Sequence, residues 1–246
     1  MKPLKRLIAR LDVKNDFVIK GIHLEGLRKI GNPNEIAKKY YKEGVDEIVF
    51  MDAVAAYYDR NNLSEIISKA TEDIFIPIMV GGGIRSINDI TIALNSGADK
   101  VGINTAAIRD PLILKKGAEI FGSQCMVSSI DVKRESPNIW RVYFDNGREP
   151  SKYLLEEWLD IIQEMGSGEI VLTSIDQEGT KKGFDNDLVN FASTRCSIPL
   201  IICGGAGKLQ HIQDISDYNY DAIAVASILH YDLSKVSSIK ESLNHE

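Results

Sequence analysis

Short apolar runs alternate with longer amphipathic stretches along the whole chain. Arg6–Asp12, Glu47–Asp52, Ile76–Val80, Lys100–Asn104, Cys125–Asp131, Glu169–Ser174, Leu200–Cys203 and Ala222–Ala226 read as strands. Most are apolar at nearly every interior position, as expected of strands covered on both faces. Between them, apolar residues recur at helical spacing in Asn34–Glu43, Ser86–Ser96, Pro111–Phe121 and Leu154–Met165. Eight strands alternating with helices predict a parallel sheet, and eight is the number that closes on itself. The expected fold is α/β, a single (β/α)8 TIM barrel over residues 1–246.

The pattern also repeats. Gly44-Val45-Asp46-Glu47-Ile48-Val49-Phe50 matches Gly166-Ser167-Gly168-Glu169-Ile170-Val171-Leu172, 122 residues later. The same offset carries Gly81-Gly82-Gly83-Ile84 onto Cys203-Gly204-Gly205-Ala206 and Asp99 onto Asp221. At an offset of 119, Leu11-Asp12-Val13-Lys14 falls on Ile130-Asp131-Val132-Lys133. Any βα protein reuses glycine turns and strand-end aspartates, but four matches in order at nearly one offset point to two half-barrels, about 1–122 and 123–246. Two connections are long and equivalent, 13–32 and 132–152. The first holds Gly21, Gly26 and Gly31 and would suit a mobile lid; the second holds Asp145-Asn146-Gly147, a hairpin-turn signal.

Asp12 and Asp131 each end a strand, and the repeat sets them opposite one another at the face where barrel enzymes keep their active sites. A lone aspartate there is an ordinary loop cap; an opposed pair suits a general acid and a general base, provided their surroundings separate their pKa values. Asp52 is repeated as Ser174, so it reads as supporting. Gly81-Gly82-Gly83 before Ser86, and Gly204-Gly205 before Gly207, both lie between a strand and a helix. Such loops let a backbone approach an anion, although a tight turn explains either one alone. Each is followed one strand later by a small polar end, Asn104-Thr105 or Ala226-Ser227, so the duplicated loops predict a substrate with a phosphate at each end. Lys20 could neutralise a phosphate, hold the lid, or be a solvated surface charge. Thr173, Ser174, Asp176, Glu178, Gly179 and Thr180 form a polar cluster fit for ligand hydroxyls or for turn chemistry. His230 near the second loop reads as a capping or packing residue.

A net charge of −6 argues against a nucleic-acid partner but leaves small anions open. Cys125, Cys196 and Cys203 lack paired spacing, and His23, His211 and His245 do not cluster with them, so neither a disulfide framework nor a metal site is expected. After Met1-Lys2-Pro3-Leu4-Lys5-Arg6, the apolar run Leu7–Ala9 is too short for a signal-peptide core, and no run is long enough to span a bilayer. A cytoplasmic chain without a membrane contact is expected.

Several runs carry a family resemblance. They are Leu11-Asp12-Val13-Lys14, Val80-Gly81-Gly82-Gly83-Ile84-Arg85-Ser86, Gly97-Ala98-Asp99-Lys100-Val101, Phe121-Gly122-Ser123-Gln124-Cys125 and Ile130-Asp131-Val132-Lys133-Arg134. Leu172-Thr173-Ser174-Ile175-Asp176, Glu178–Asp185 and Gly204-Gly205-Ala206-Gly207 complete them. Together they resemble the cyclase subunit of imidazole glycerol phosphate synthase over nearly the whole chain. The sister isomerase of histidine biosynthesis shares the barrel and two aspartates, but not the Ser-Gln-Cys and Thr-Ser-Ile-Asp runs. The resemblance implies a lyase that needs no cofactor. Ammonia from a partner glutaminase attacks a two-phosphate ribulosyl formimino carboxamide ribonucleotide, giving imidazole glycerol phosphate and aminoimidazole carboxamide ribonucleotide. It implies Asp12 and Asp131 as catalytic pair, Gly83, Asn104 and Thr105 at one phosphate, and Gly179, Gly205, Ala226 and Ser227 at the other; the charge of Lys20 and the polar positions Thr173 and Asp176 add these three as expected substrate contacts. It places the glutaminase on the N-terminal barrel face, with an ammonia gate of Arg6, Glu47, Lys100 and Glu169, a set that also reads as an ordinary ion-pair plug.

The chain departs from that family at the mouth. Ala9-Arg10 replaces Pro-Cys, Asp52-Ala53-Val54-Ala55-Ala56 replaces Asp-Ile-Thr-Ala-Ser, Cys203 stands where serine is common, and Pro150-Ser151-Lys152 replaces an ending in Thr-Gly. An arginine pointing into a barrel has to be paired, because an unpaired buried charge is costly. Besides the histidine-pathway cyclase, the departures leave open a related glutaminase-coupled amidation enzyme of surface-glycan synthesis and a catalytically idle barrel that only binds a glutaminase.

Overall fold

Runs rich in Ile, Val and Leu make the barrel wall, and polar caps start several of the helices around it. The computed structural model describes residues 4–53 and 63–244. Met1–Pro3, Val54–Ala56 of the second-strand departure and His245 lie outside them.

The strands in chain order are β1 (Arg6–Lys14), β2 (Phe17–Ile22), β3 (Glu25–Gly31), β4 (Glu47–Asp52), β5 (Ile78–Gly81), β6 (Lys100–Ile103), β7 (Met126–Ser136), β8 (Ile139–Phe144), β9 (Glu149–Leu154), β10 (Glu169–Ser174), β11 (Leu200–Cys203) and β12 (Ala222–Val225). β1, β4, β5, β6, β7, β10, β11 and β12 pair in parallel in that order, and β12 closes onto β1 through Arg6↔Ala222 to Ala9↔Val225. The expected barrel is therefore present. β1 and β7 stand four strands apart on either path around the wall, so they face each other across it.

The helices are α1 (Pro33–Glu43), α2 (Leu63–Ala70), α3 (Ile87–Asn95), α4 (Thr105–Arg109), α5 (Leu112–Phe121), α6 (Leu155–Glu164), α7 (Asn186–Ser193), α8 (Leu209–Gln213), α9 (Ser227–His230) and α10 (Val236–Asn244). The four helices read from periodicity are found within a residue or so of their expected ends. Asn32 accepts from the backbone N–H groups of Asn34 and Glu35 to start α1, and Ser86 accepts from Asp89 N–H to start α3. Wall residues alternate: Leu7, Ala9 and Leu11 pack outward under the helices, whereas Ile8 lies in a separate apolar layer inside the barrel with Val49, Met79, Val127, Val171 and Ile201.

The repeat is visible in hydrogen bonds. Asp99 Oδ2 accepts from Ile78 N–H at 2.8 Å, and Asp221 Oδ2 accepts from Leu200 N–H at 2.8 Å. These matched aspartates hold equivalent strand starts. Two expectations need correction. Asp12 and Asp131 do not end their strands, because β1 and β7 run on beyond the barrel wall into antiparallel hairpins. The first long connection is likewise a hairpin, β2–β3, not an open glycine loop; His23 and Leu24 turn it with φ of 52° and 64°.

Candidate active site

Strand alternation puts Arg10 and Asp12 of β1, Asn104 after β6, Ser129 and Asp131 of β7, and Thr173 of β10 at the C-terminal mouth. A cavity of 410 Å³ opens there over the first half-barrel, lined by Arg10, Gly82, Gly83, Asn104, Thr105 and Asp131 among others. Asn104 Nδ2 donates to Asp131 Oδ2 at 3.0 Å and to the Tyr143 carbonyl at 3.2 Å, while its own Oδ1 is buried without a partner. Thr105 Oγ1 accepts from the N–H of Asp145 at 3.1 Å, tying the second hairpin to this side.

On the opposite side of the mouth the described residues pack closely. Lys20 of β2 is only 3% exposed; it is ion-paired with buried Glu178 and lies 3.6 Å from Asp12 Oδ2. The hairpin tip is fixed to the loop after β10, where His23 N–H donates to the Glu178 carbonyl at 2.8 Å and His23 Nδ1 lies 2.9 Å from the Ile175 carbonyl. Gly179 abuts the Gly21 backbone, and Gly205 abuts Gly183, whose N–H donates to the Gly205 carbonyl at 2.9 Å. Ala226 and Ser227 are buried, and Ser227 Oγ and Ser174 Oγ have no partner. Asp176 lies apart from the 410 Å³ cavity: it accepts from Arg134 N–H at 2.9 Å and lines a separate pocket between the two hairpin tips. The fold thus brings most of these segments together at the mouth, but Glu178 as the partner of Lys20 has no local signal, since the two are 158 positions apart.

The two aspartates differ electrostatically. Burial raises the Asp12 carboxyl, but the Arg10 guanidinium and then Lys20 outweigh it and hold the group below its ordinary value. Burial raises Asp131 as well, and there the opposing Arg10 charge and Asn104 hydrogen bond do not suffice, so its pKa ends above the ordinary value. A carboxyl held low beside one held high is the arrangement that an acceptor and a donor of protons require. Arg10 itself is paired, as its burial requires: its Nε donates to Asp12 Oδ1 at 2.9 Å.

His230 is a packing residue. It stacks on Tyr40, with Nδ1 2.8 Å from the phenol oxygen. Burial, with Lys20 adding to it, lowers its pKa from 6.5 to about 4. Between those values the unfolded chain binds the extra proton, so stability rises with pH there and levels off above. Set against His230→Gln, urea unfolding of the wild type is expected to gain roughly 2–3 kcal/mol across that interval, which is the His230 contribution.

At the other end of the barrel, Arg6, Glu47, Lys100 and Glu169 form a closed ring. Arg6 bonds Glu47 at 2.8 Å and also Glu169; Lys100 bonds Glu47 at 2.9 Å and Glu169 at 2.7 Å. Around that rim Leu4, Phe75 and Ile120 are 77%, 79% and 60% exposed. Among the described residues no group of three or more His, Cys, Asp or Glu is placed to hold a metal ion, and no helix is long and apolar enough to cross a membrane.

A family model described as histidine biosynthesis protein matches residues 6–235. The imidazole glycerol phosphate synthase subunit HisF of Legionella pneumophila is 55% identical over 205 residues, covering 83% of this chain and 97% of that protein. The subunit of the same name from Dehalococcoides mccartyi is 44% identical over 240 residues, 97% of this chain and 94% of that protein. The one from Helicobacter hepaticus is 42% identical over 243 residues, 99% and 96% of the respective chains.

Proposed function

The chain belongs to the histidine biosynthesis protein family, and from that premise we propose that it is the lyase-type cyclase of an imidazole glycerol phosphate synthase. It combines ammonia with the two-phosphate ribulosyl formimino carboxamide ribonucleotide to give imidazole glycerol phosphate and aminoimidazole carboxamide ribonucleotide. The relatives compared all carry the cyclase subunit's name, and they do not favour a glycan-amidating enzyme or an idle barrel.

The observation that carries the site assignment is the opposed aspartate pair with oppositely shifted pKa values. Asp12 takes a proton from the nitrogen that attacks, and Asp131 gives one to the side of the substrate that leaves. Gly83, Asn104 and Thr105 bind one phosphate beside the open cavity. Gly179, Gly205, Ala226 and Ser227 bind the other, which requires the Lys20–Glu178 contact over that half to give way. Lys20 and Thr173 then face the substrate, and Asp176 reaches it only once its bond to Arg134 N–H opens. The test is turnover of the ribulosyl substrate with an ammonium salt, comparing the wild type with Asp12→Asn and Asp131→Asn. Absence of wild-type turnover sinks the reading.

The chain works as one subunit of the synthase, and its glutaminase partner docks on the N-terminal face. Exposed Leu4, Phe75 and Ile120 there supply an apolar patch around the Arg6–Glu47–Lys100–Glu169 ring. The ring is the gate through which ammonia enters the apolar interior. Phe75→Glu with Ile120→Glu is expected to lower glutamine-driven turnover about tenfold or more while ammonium-driven turnover stays at the wild-type level. Equal loss in both assays counts against this docking face.

A further inference from the structure

The lumen just beneath the two aspartates is crossed by one side chain that the half-barrel repeat does not duplicate. At the offset that carries Asp12 onto Asp131, Arg10 falls on Ser129. Arg10 is 4% exposed. Besides its bond to Asp12, its Nη1 donates to Thr173 Oγ1 at 3.2 Å and lies 3.4 Å from Cys203 Sγ. Thr173 in turn is the register partner of Asp131 on the neighbouring strand, and its hydroxyl favours the ionised form of that carboxyl. β1 and β10 are three strands apart around the wall, so the guanidinium reaches its partner across the barrel interior.

We propose that Arg10 is the positioning residue of the acid–base pair: with Thr173 it bridges Asp12 to Asp131, fixes Asp12 as the proton acceptor and ties the ionisation of both carboxylates to one guanidinium. This deepens the cyclase reading and rests on it. A guanidinium suits the place because it is charged at every working pH and offers donors in a rigid planar fork, so one group can hold Asp12 and Thr173 at once. An ammonium is a point charge and cannot keep both directions. The other groups facing Asp12 are Lys20 from β2, with Glu178 behind it, His230 from α9 and Asp131 from β7, while Cys203 from β11 faces Arg10 and Lys20. Asp131 is faced by Asn104, Thr173, Arg10 and Asp12. Lys20 alone would leave Asp12 one cation, given up in part to Glu178.

The sign follows from the charge. Arg10 favours the ionised form of both carboxylates, so its removal raises both titrations and carries the whole pH–rate bell upward instead of only lowering its height. Carboxyl-carbon NMR titration of the ligand-free protein tests this without substrate. Arg10→Met is expected to raise Asp12 and Asp131 by about one to three pH units. Thr173→Val is expected to raise Asp131 and leave Asp12 in place, and Arg10→Lys to keep Asp12 low while Asp131 rises. Should Arg10→Met fail to fold, the other two variants carry the test. An Asp12 titration unmoved in Arg10→Met, or an Asp131 titration unmoved in both Thr173→Val and Arg10→Lys, overturns the proposal. Because these readings need no turnover, they stand apart from failure of the cyclase assay, which strikes the reaction assignment. In the active enzyme, the bell in kcat/KM for Arg10→Met shifts upward in pH by the same amount; loss of height at an unmoved midpoint indicates a merely structural role and overturns the proposal too.

Discussion

Asp131→Asn is expected to lower kcat by about 10²–10⁴-fold with ammonium as nitrogen source, while KM changes little. The substitution keeps the shape and one acceptor oxygen for Asn104, which now donates to Asp131 at 3.0 Å, but removes the proton the donor must give. Gly83 and Thr105 are untouched, so substrate still docks. Asp12→Asn loses turnover to a similar degree, yet the two variants part in stability. The carboxylate of Asp12 compensates buried Arg10 and Lys20; without it Lys20 keeps Glu178, but Arg10 loses its ion pair and keeps only its contacts to Thr173 and Cys203. Removing one partner of a buried ion pair costs about 3–5 kcal/mol. Asp131, whose pKa is raised, is instead held in a place that resists its ionisation. Its contribution to stability falls as pH rises from the ordinary carboxylate value through the folded one, so Asp131→Asn is expected to be at least as stable as the wild type at pH 7. Denaturant midpoints at neutral pH, set beside kcat, check both halves. If both variants turn over at the wild-type rate, the acid–base assignment is wrong.

The difference between these aspartates shows what the sequence carries and what it does not. Their opposition follows from the repeat, because residues at matching places in two half-barrels must face each other once the barrel closes. The strand-start aspartates, Asp99 and Asp221, are legible for the same reason. What separates Asp12 from Asp131 comes from contacts outside the repeat. Lys20 arrives on a hairpin whose length and glycines read as a loop, since the alternation of β2 and β3 is weak and β3 is largely exposed. Glu178 and Thr173 meet residues more than 150 positions away. Arg10 is visible as a departure, and its burial predicts a partner, but periodicity cannot say which of several acids in the mouth it will hold. Asp176 shows the opposite failure: its place in a polar run suggests the mouth, whereas the backbone of Arg134 captures it between the hairpins.

The glycine loops carry the second large effect. Gly82 has φ of 84°, and a Cβ there would stand 2.2 Å from the Asp52 carbonyl oxygen. Gly205 has φ of 103°, and a Cβ there would stand 1.9 Å from the Gly183 carbonyl oxygen. Both obstacles are backbone, so neither can rotate away. Alanine at either place is expected to cost about 2–5 kcal/mol, the left-handed backbone and the overpacking adding together. Gly26→Ala is the control: it shares the positive φ of 65° but has nothing within 4 Å of the added atom, so it should cost only the backbone part, about 1–2 kcal/mol. Urea unfolding of the three variants separates conformational strain from close approach. Gly205→Ala carries a further consequence, because the atom it meets belongs to the segment that also brings Glu178 over the second half of the mouth. Pushing Gly183 away loosens its bond to the Gly205 carbonyl and weakens the closed side without touching the open cavity. Inorganic phosphate and the two-phosphate substrate should therefore respond differently: Gly82→Ala weakens both, whereas Gly205→Ala weakens the substrate more. Equal losses for all three alanines would mean that the loops tolerate a side chain and that their tight approach does not shape the site.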